Sequence, residues 1–233
     1  MMHHKKFHLR DCPPRSKFSS CFIRAWIAVL VIGLGGSTAN ARTIVITDED
    51  CELMASISAS APRVGWAGIS YGPGEYINSQ IDVTTKTSFL IAYPLDRIPA
   101  NHRITKAELT IPYDLLAPPT GVRTQVRRLL VDWGPGVCHQ FRRTRPERLE
   151  WNTPGAMGFG TDRAVKPTAS ALLKGAGEHT FNVTEDVELW HSGAAGNHGW
   201  LITTDDPIAY LRLSSPFWSG AKRWKLRITF EPR

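Results

Sequence analysis

The chain has 233 residues, 42% of them hydrophobic, with 19 glycines and 16 prolines, a composition that excludes a long helical bundle and a disordered chain and points to one loop-rich globular β domain. A formal net charge of +7 would ordinarily raise the question of nucleic acid. That charge is concentrated at the amino terminus, so it excludes less than it first suggests.

Residues 1–41 read as a secretory signal peptide. Lys5, Lys6, Arg10, Arg15, Lys17 and Arg24 form a basic region, AWIAVLVIGLGG forms an apolar one, and Ala39-Asn40-Ala41 has the form of a cleavage site. The apolar run is well short of the roughly 20 residues a spanning helix needs. The expected mature chain, residues 42–233, is secreted to an extracellular or periplasmic space and keeps no membrane span. It carries 22 basic against 20 acidic residues, which leaves no case for nucleic acid as a partner. Clusters remain at Arg123, Arg127 and Arg128, at Arg142, Arg143, Arg145 and Arg148, and at Lys222, Arg223, Lys225 and Arg227. They read either as solvated strand faces or as a surface for acidic polysaccharide. Only Cys51 and Cys138 remain in the mature chain. In an oxidising space they can close one long loop, worth about 4 kcal/mol, or stay as two separate thiols.

The first strand signal is RTIVIT, followed by the acidic cluster Asp48, Glu49, Asp50 and Glu52. Oxygen ligands this close could hold a structural calcium, but the spacing fits no EF-hand loop, so a solvated turn and no cofactor or metal are expected. Gly68-Ile69-Ser70-Tyr71-Gly72 matches G-x-S-x-G, yet Pro73 and Gly74 forbid the helix that a nucleophile elbow requires. No catalytic residue is assigned. The segment reads better as a loop displaying Trp66, Tyr71 and Tyr76.

Clear alternation follows. Ala107, Leu109, Ile111 and Tyr113 alternate with Lys106, Glu108 and Thr110; Leu211 and Leu213 with Tyr210 and Arg212; Trp224, Leu226, Ile228 and Phe230 with Lys225, Arg227 and Thr229. Each such strand has one apolar face that a second sheet must cover, so an antiparallel sandwich is expected. Residues 182–215 interrupt the pattern with one amphipathic helical turn, in which Thr184 is the expected N-cap, Glu185 and Asp186 the acidic first turn, and His191 and Gly193 the stop.

The order SFLIAYPLDRIPANHRITKAELTI, VRRLLVDWGPG, LEWNTPGAMGFG, FNVTEDVELWHSGAAGNHGWLI, YLRLSSPF and WKLRITF resembles the DNRLRE-domain family, also known as carbohydrate-binding module family 96. The positions that carry the resemblance are Asp96, Ile98, Pro99, Ala107, Leu109, Trp133, Trp151, Asn152, Val183, Thr184, Trp190, Asn197, Gly199, Ser215 and Leu226. It departs from the pattern at Asn182, Tyr93, Pro216 and Trp224, and in the arginine-rich segment CHQFRRTRPERLEW. The resemblance implies an all-β, antiparallel, jelly-roll-like β-sandwich with one short helix. It further implies an exported, non-catalytic module that binds carbohydrate or serves adhesion, with a polysaccharide or cell-surface glycan as partner.

Most of the signature has a structural reading. Trp133, Trp151 and Trp190 are expected to pack with their indole N–H groups on backbone, and Asn197 and Gly199 to form a tight turn with positive φ. Ligand contact is expected at Trp66, Tyr71, Tyr76 and Trp218 and at Arg142, Arg143 and Arg145. The alternatives are a polysaccharide-degrading enzyme, which needs paired carboxylates in a cleft, and a purely structural envelope protein. His102, His139, His179, His191 and His198 follow no ligand spacing and read as loop or surface residues.

Overall fold

The sixteen-residue strand β6 (His102–Ala117) is the axis of one sheet. Its core-facing side chains include Ile104, Ala107, Leu109, Ile111 and Tyr113, which breaks strict alternation between Ile104 and Ala107. The reason is a bulge: Lys106 lies opposite Thr229 and Ile104 opposite Phe230, so Thr105 is an extra residue that brings both flanking apolar side chains to the same face.

In the computed structural model the described residues are 40–51, 53–59, 62–63, 65–67, 80–82, 87–204, 210–213 and 223–233, with the backbone alone described at 65–67, 80–82 and 114–116. They lie in one compact unit that spans Thr38–Arg233. The first sheet has the order β1 (Arg42–Thr47), β14 (Lys225–Pro232), β6, β13 (Tyr210–Leu213) and β4 (Gln80–Asp82), while β11 (Gly177–Asn182) pairs along the other side of β6. The second runs β10 (Ala169–Leu173), β7 (Val122–Arg128), β12 (Trp200–Thr204), β5 (Ser88–Ala92), β2 (Leu53–Ile57) and β3 (Gly65–Ala67). A hairpin of β8 (Phe141–Arg143) and β9 (Leu149–Glu150) stands apart. All pairings within these sheets are antiparallel. The architecture is all-β and sandwich-like.

The main core draws on both sheets, with Leu109, Ile111, Leu226 and Ile228 from one and Phe89, Ile91, Val126 and Ile202 from the other. Burying a side chain of this size stabilises the fold by about 1.5–3 kcal/mol. Phe89 stacks on Trp224 with centroids 4.6 Å apart, a direct aromatic contact between the sheets. The alternating strands WKLRITF and YLRL bury the expected faces.

The second sheet departs from the one-wet-face expectation. Every residue of SFLIA and of WLITT is buried. A second cluster, which includes Leu129, Trp133, Val137, Trp151 and Ala156, covers Ala55, Ile57, Leu90 and Leu201 on the outer face of that sheet. The irregular segment 129–163, with its hairpin, therefore acts as a third layer, and the unbroken apolar runs are its signature in the sequence.

Two local expectations are corrected. The helix α1 spans Thr184–His191, but its N-cap is Val183, and no side chain caps it. The Thr184 hydroxyl is committed elsewhere, accepting the N–H of Ala107 at 2.8 Å and donating to Asn182 Oδ1 at 2.7 Å. Asn182 also accepts the Thr184 N–H at 3.0 Å, a local turn bond made by the residue two positions earlier. Gly193, at φ +77°, closes the helix as expected. The disulfide is not formed: Cys51 and Cys138 are free thiols. Cys51 packs against the core between the sheets, whereas Cys138 accepts the Trp151 indole N–H through its carbonyl at 2.9 Å in the layer over the other face of the second sheet.

Candidate functional site

Strand β10 ends one sheet and β11 lies on the outer side of β6 in the other, joined to it by residues 174–176, so the two meet at an open edge of the sandwich. Among the described strands neither has a partner on its outer side. Between them and the first turns of α1 opens a groove of about 630 Å³. Thr168 and Ser170 line one wall, His179 and Asn182 the other, and Glu185 and Glu188 close the helical end.

Each of these positions follows from local structure. His179 pairs in register with Ile111 and thus faces inward at the mouth of the core. Its ring meets Phe181 edge-on at 4.6 Å, which gives the groove an aromatic floor. Burial holds the His179 imidazole below its usual range, so at neutral pH it offers one donor and one acceptor nitrogen. Glu185 and Glu188 are three apart on α1 and therefore share a side of the helix, both exposed.

Asp186, between them, points the other way and is buried. Its Oδ2 accepts the Thr168 hydroxyl at 2.5 Å and the Trp200 indole N–H at 2.8 Å, and Arg128 Nε lies 3.3 Å from Oδ1. Burial pushes the Asp186 carboxyl above the usual range, against the opposing pull of these partners. Asp186 thereby ties the helix, the groove wall at Thr168 and the second sheet to one carboxylate. Thr180 is bound across the sheet to Thr110 at 2.9 Å. The free groups of the groove are two carboxylates, an imidazole and the Ser170 hydroxyl over an aromatic floor, a set that suits a ligand rich in hydroxyl groups.

Of the ligand contacts expected from the sequence, those that are described, Arg142, Arg143 and Arg145, do not line this groove. Tyr71, Tyr76 and Trp218, and Ser70 with them, lie outside the described residues, and of Trp66 only the backbone, in β3, is described. Arg142 and Arg143 both bind Asp132, the latter through Nη1 to Oδ2 at 2.5 Å, so they clamp the third layer. Arg145 is exposed at the hairpin turn. Trp133 and Trp151 donate to the carbonyls of His198 (2.8 Å) and Cys138 (2.9 Å), as expected. Trp190 differs: its buried indole nitrogen has no hydrogen-bond partner among the described residues, and its ring packs 4.6 Å from that of Trp200.

Asn152 donates its backbone and side-chain N–H to Asp162 Oδ1 at 2.8 and 2.9 Å. Gly199 has φ +74°, and a Cβ there would stand 2.1 Å from the Ile91 carbonyl oxygen, so glycine is required twice over. Asn197 does not share the positive φ; its side chain instead ties the turn, donating to the Tyr93 carbonyl at 2.8 Å.

The acidic cluster after β1 forms a short 3-10 turn, Asp48–Asp50. Arg223 reaches Asp48 (3.4 Å) and Glu49 (2.6 Å), and Arg97 binds Asp50 at 2.6 Å and holds that carboxyl below its usual range. Among the described residues no three His, Cys, Asp or Glu side chains are grouped to hold a metal ion, and no helix is long and apolar enough to cross a membrane.

The sequence did not announce that His179, Glu185 and Glu188 line one groove. A signal existed in the shared parity of His179 and Phe181 on a strand and in the three-residue spacing of the two glutamates. Among family models and curated proteins, nothing matches this chain.

Proposed function

We propose that the chain is an exported, non-catalytic module of jelly-roll type that binds carbohydrate in the groove between β10, β11 and α1. The observation that carries the reading is the lining of that groove, where His179, Ser170, Glu185 and Glu188 supply hydrogen-bonding groups around Phe181. A sugar presents both demands at once, since its hydroxyls need acceptors and its C–H faces need apolar contact. The two glutamates favour a neutral or amino-bearing glycan over an acidic one at this place.

Catalysis by a carboxylate pair is the less supported reading. Glycoside hydrolysis needs one carboxyl kept protonated in an apolar setting, and Glu185 and Glu188 are both exposed. Retention of the protein on immobilised neutral, amino-bearing and acidic polysaccharides tests the proposal. Retention on a neutral or amino-bearing polymer that Glu188→Gln or His179→Ala abolishes supports it. Release of reducing ends from the same polymers would favour the enzyme, and no retention on any of them at low salt would end the binding reading.

A further inference from the structure

Phe159 is 54% exposed, although its surroundings are among the most tightly built in the third layer. The turn that carries it is organised by Asp162, whose side chain is fully buried. Asp162 Oδ1 accepts the backbone and side-chain N–H groups of Asn152, and Oδ2 accepts the N–H groups of Thr153 (2.8 Å) and Gly158 (3.1 Å). Backbone bonds from Asp162 and Arg163 to the Gly158 carbonyl, at 2.9 and 3.0 Å, and from Gly160 to the Arg163 carbonyl, at 2.8 Å, close the turn. There is no room for a side chain at Gly158, where a Cβ would stand 2.3 Å from Thr161 Oγ1. The residue in the middle of this pinned loop is held in one position, and its ring faces water.

The ring also has a fixed seat. The guanidinium carbons of Arg163 and Arg127 lie 4.3 and 5.1 Å from its centroid, and both arginines are buried. Arg127 is itself fixed, donating to Gln125 Oε1 at 2.8 Å and to the Val165 carbonyl at 2.5 Å. The two arginines are buried while Phe159 is half exposed, so part of the residue stays open to solvent beside its covered cations. Phe159 thus combines a cation–π seat with an exposed surface on a pinned turn.

We propose that Phe159 is a stacking platform for a sugar ring and that, together with the groove, it selects an oligosaccharide chain over a single sugar. This rests on the carbohydrate reading of the groove and extends it. Strand β7 joins the two places: Arg127 seats the ring, and its neighbour Val126 pairs with Ala169 in the groove wall. The occupant is a glycan and not a protein, because among the described residues Phe159 and the neighbouring Val165 are the two large apolar side chains exposed at this place, far less than a stable protein interface buries. A rigid ring loses little conformational freedom on binding, which suits stacking on the C–H face of a pyranose.

The test uses the whole protein and ladders of neutral and amino-sugar oligosaccharides from disaccharide to hexasaccharide, with affinity measured by calorimetry. Phe159→Ala is expected to weaken the hexasaccharide about tenfold, the equivalent of one stacking contact, and to leave the disaccharide unchanged. Phe159→Trp is expected to retain hexasaccharide affinity, and His179→Ala to weaken both ligands. Unchanged hexasaccharide affinity in Phe159→Ala would overturn the platform while leaving the groove reading intact. Equal losses on both ligands would overturn it as well, since the effect would then be structural. No binding of either ladder by the unmodified protein would remove the reading on which the platform rests.

Discussion

The indole N–H of Trp200 donates to Asp186 Oδ2 at 2.8 Å, so the inner layer of one sheet and the helix that leaves the other share a single buried bond. The same oxygen takes the Thr168 hydroxyl at 2.5 Å. Asp186→Ala leaves both donors without an acceptor and Arg128 without its anion, and the expected loss is about 3 kcal/mol in urea unfolding. Asp186→Asn keeps an acceptor and should cost about 1 kcal/mol. Equal effects of the two would show that the site needs charge and not an acceptor.

Asp48 gives a pH dependence of definite sign. Burial raises its carboxyl above the usual carboxylate range despite the neighbouring Arg223. The folded state therefore binds this proton more readily than the unfolded state, and stability falls as pH rises from the unfolded value through the raised folded one. Asp48→Asn removes this contribution. Urea midpoints for the two proteins, followed from pH 3.5 to 7, should converge at the acid end and separate in favour of the variant towards neutrality; a gap that stays constant with pH would refute the assignment.

The cysteines should behave as buried thiols. The Cys51 thiol is pushed up to about 12 by burial and the nearby carboxylates of Asp48 and Asp50, and Cys138 is 1% exposed. The native chain from residue 42 onward should react with a thiol reagent at pH 8 only on unfolding and then yield two free thiols without reductant. A yield of none would mean that they pair.

The alternating strands were legible because one side of each faces water, and period two survives in the letters of WKLRITF and YLRL. The helix ends were half legible: Gly193 stops α1 as its sequence implies, but the Thr184 hydroxyl was claimed by Ala107, a partner 77 residues away that local spacing cannot reveal. The third layer left its mark only in the unbroken apolar runs of the strands it covers; segment 129–163 itself was not legible, since it is held by loop carboxylates such as Asp162 and by Trp133 and Trp151 instead of by periodicity. Nor was the groove, because His179 and Glu188 belong to different elements and meet only once β11 has paired with β6.

Gly199 and Gly193 separate two costs that glycine positions usually combine. Both have positive φ, but a Cβ at Gly193 meets nothing within 4 Å, while at Gly199 it would meet the Ile91 carbonyl at 2.1 Å and Ala92 Cα at 2.8 Å. Gly193→Ala should cost about 1 kcal/mol from backbone strain alone. Gly199→Ala adds a clash with the backbone of β5 and should cost about 3 kcal/mol or more, a fall of roughly 6–12 °C in thermal midpoint for a domain of this size. Similar melting temperatures for the two variants would mean that β5 yields to the added methyl.

His179 should set the pH range of ligand retention. Burial lowers its imidazole from the usual 6.5, so the neutral ring is the form present at pH 7, and the ring acquires a proton only as pH falls through that lowered value. Protonation removes the acceptor nitrogen facing the groove and turns it into a donor. Retention of a neutral glycan is therefore expected to be flat from pH 8 through the usual histidine range and to fall only at lower pH, once the ring takes up its proton. His179→Gln keeps an acceptor that does not titrate, so its retention should stay flat across the same interval. If the variant loses retention at the same pH as the unmodified protein, the titrating group lies elsewhere and His179 is not a ligand contact.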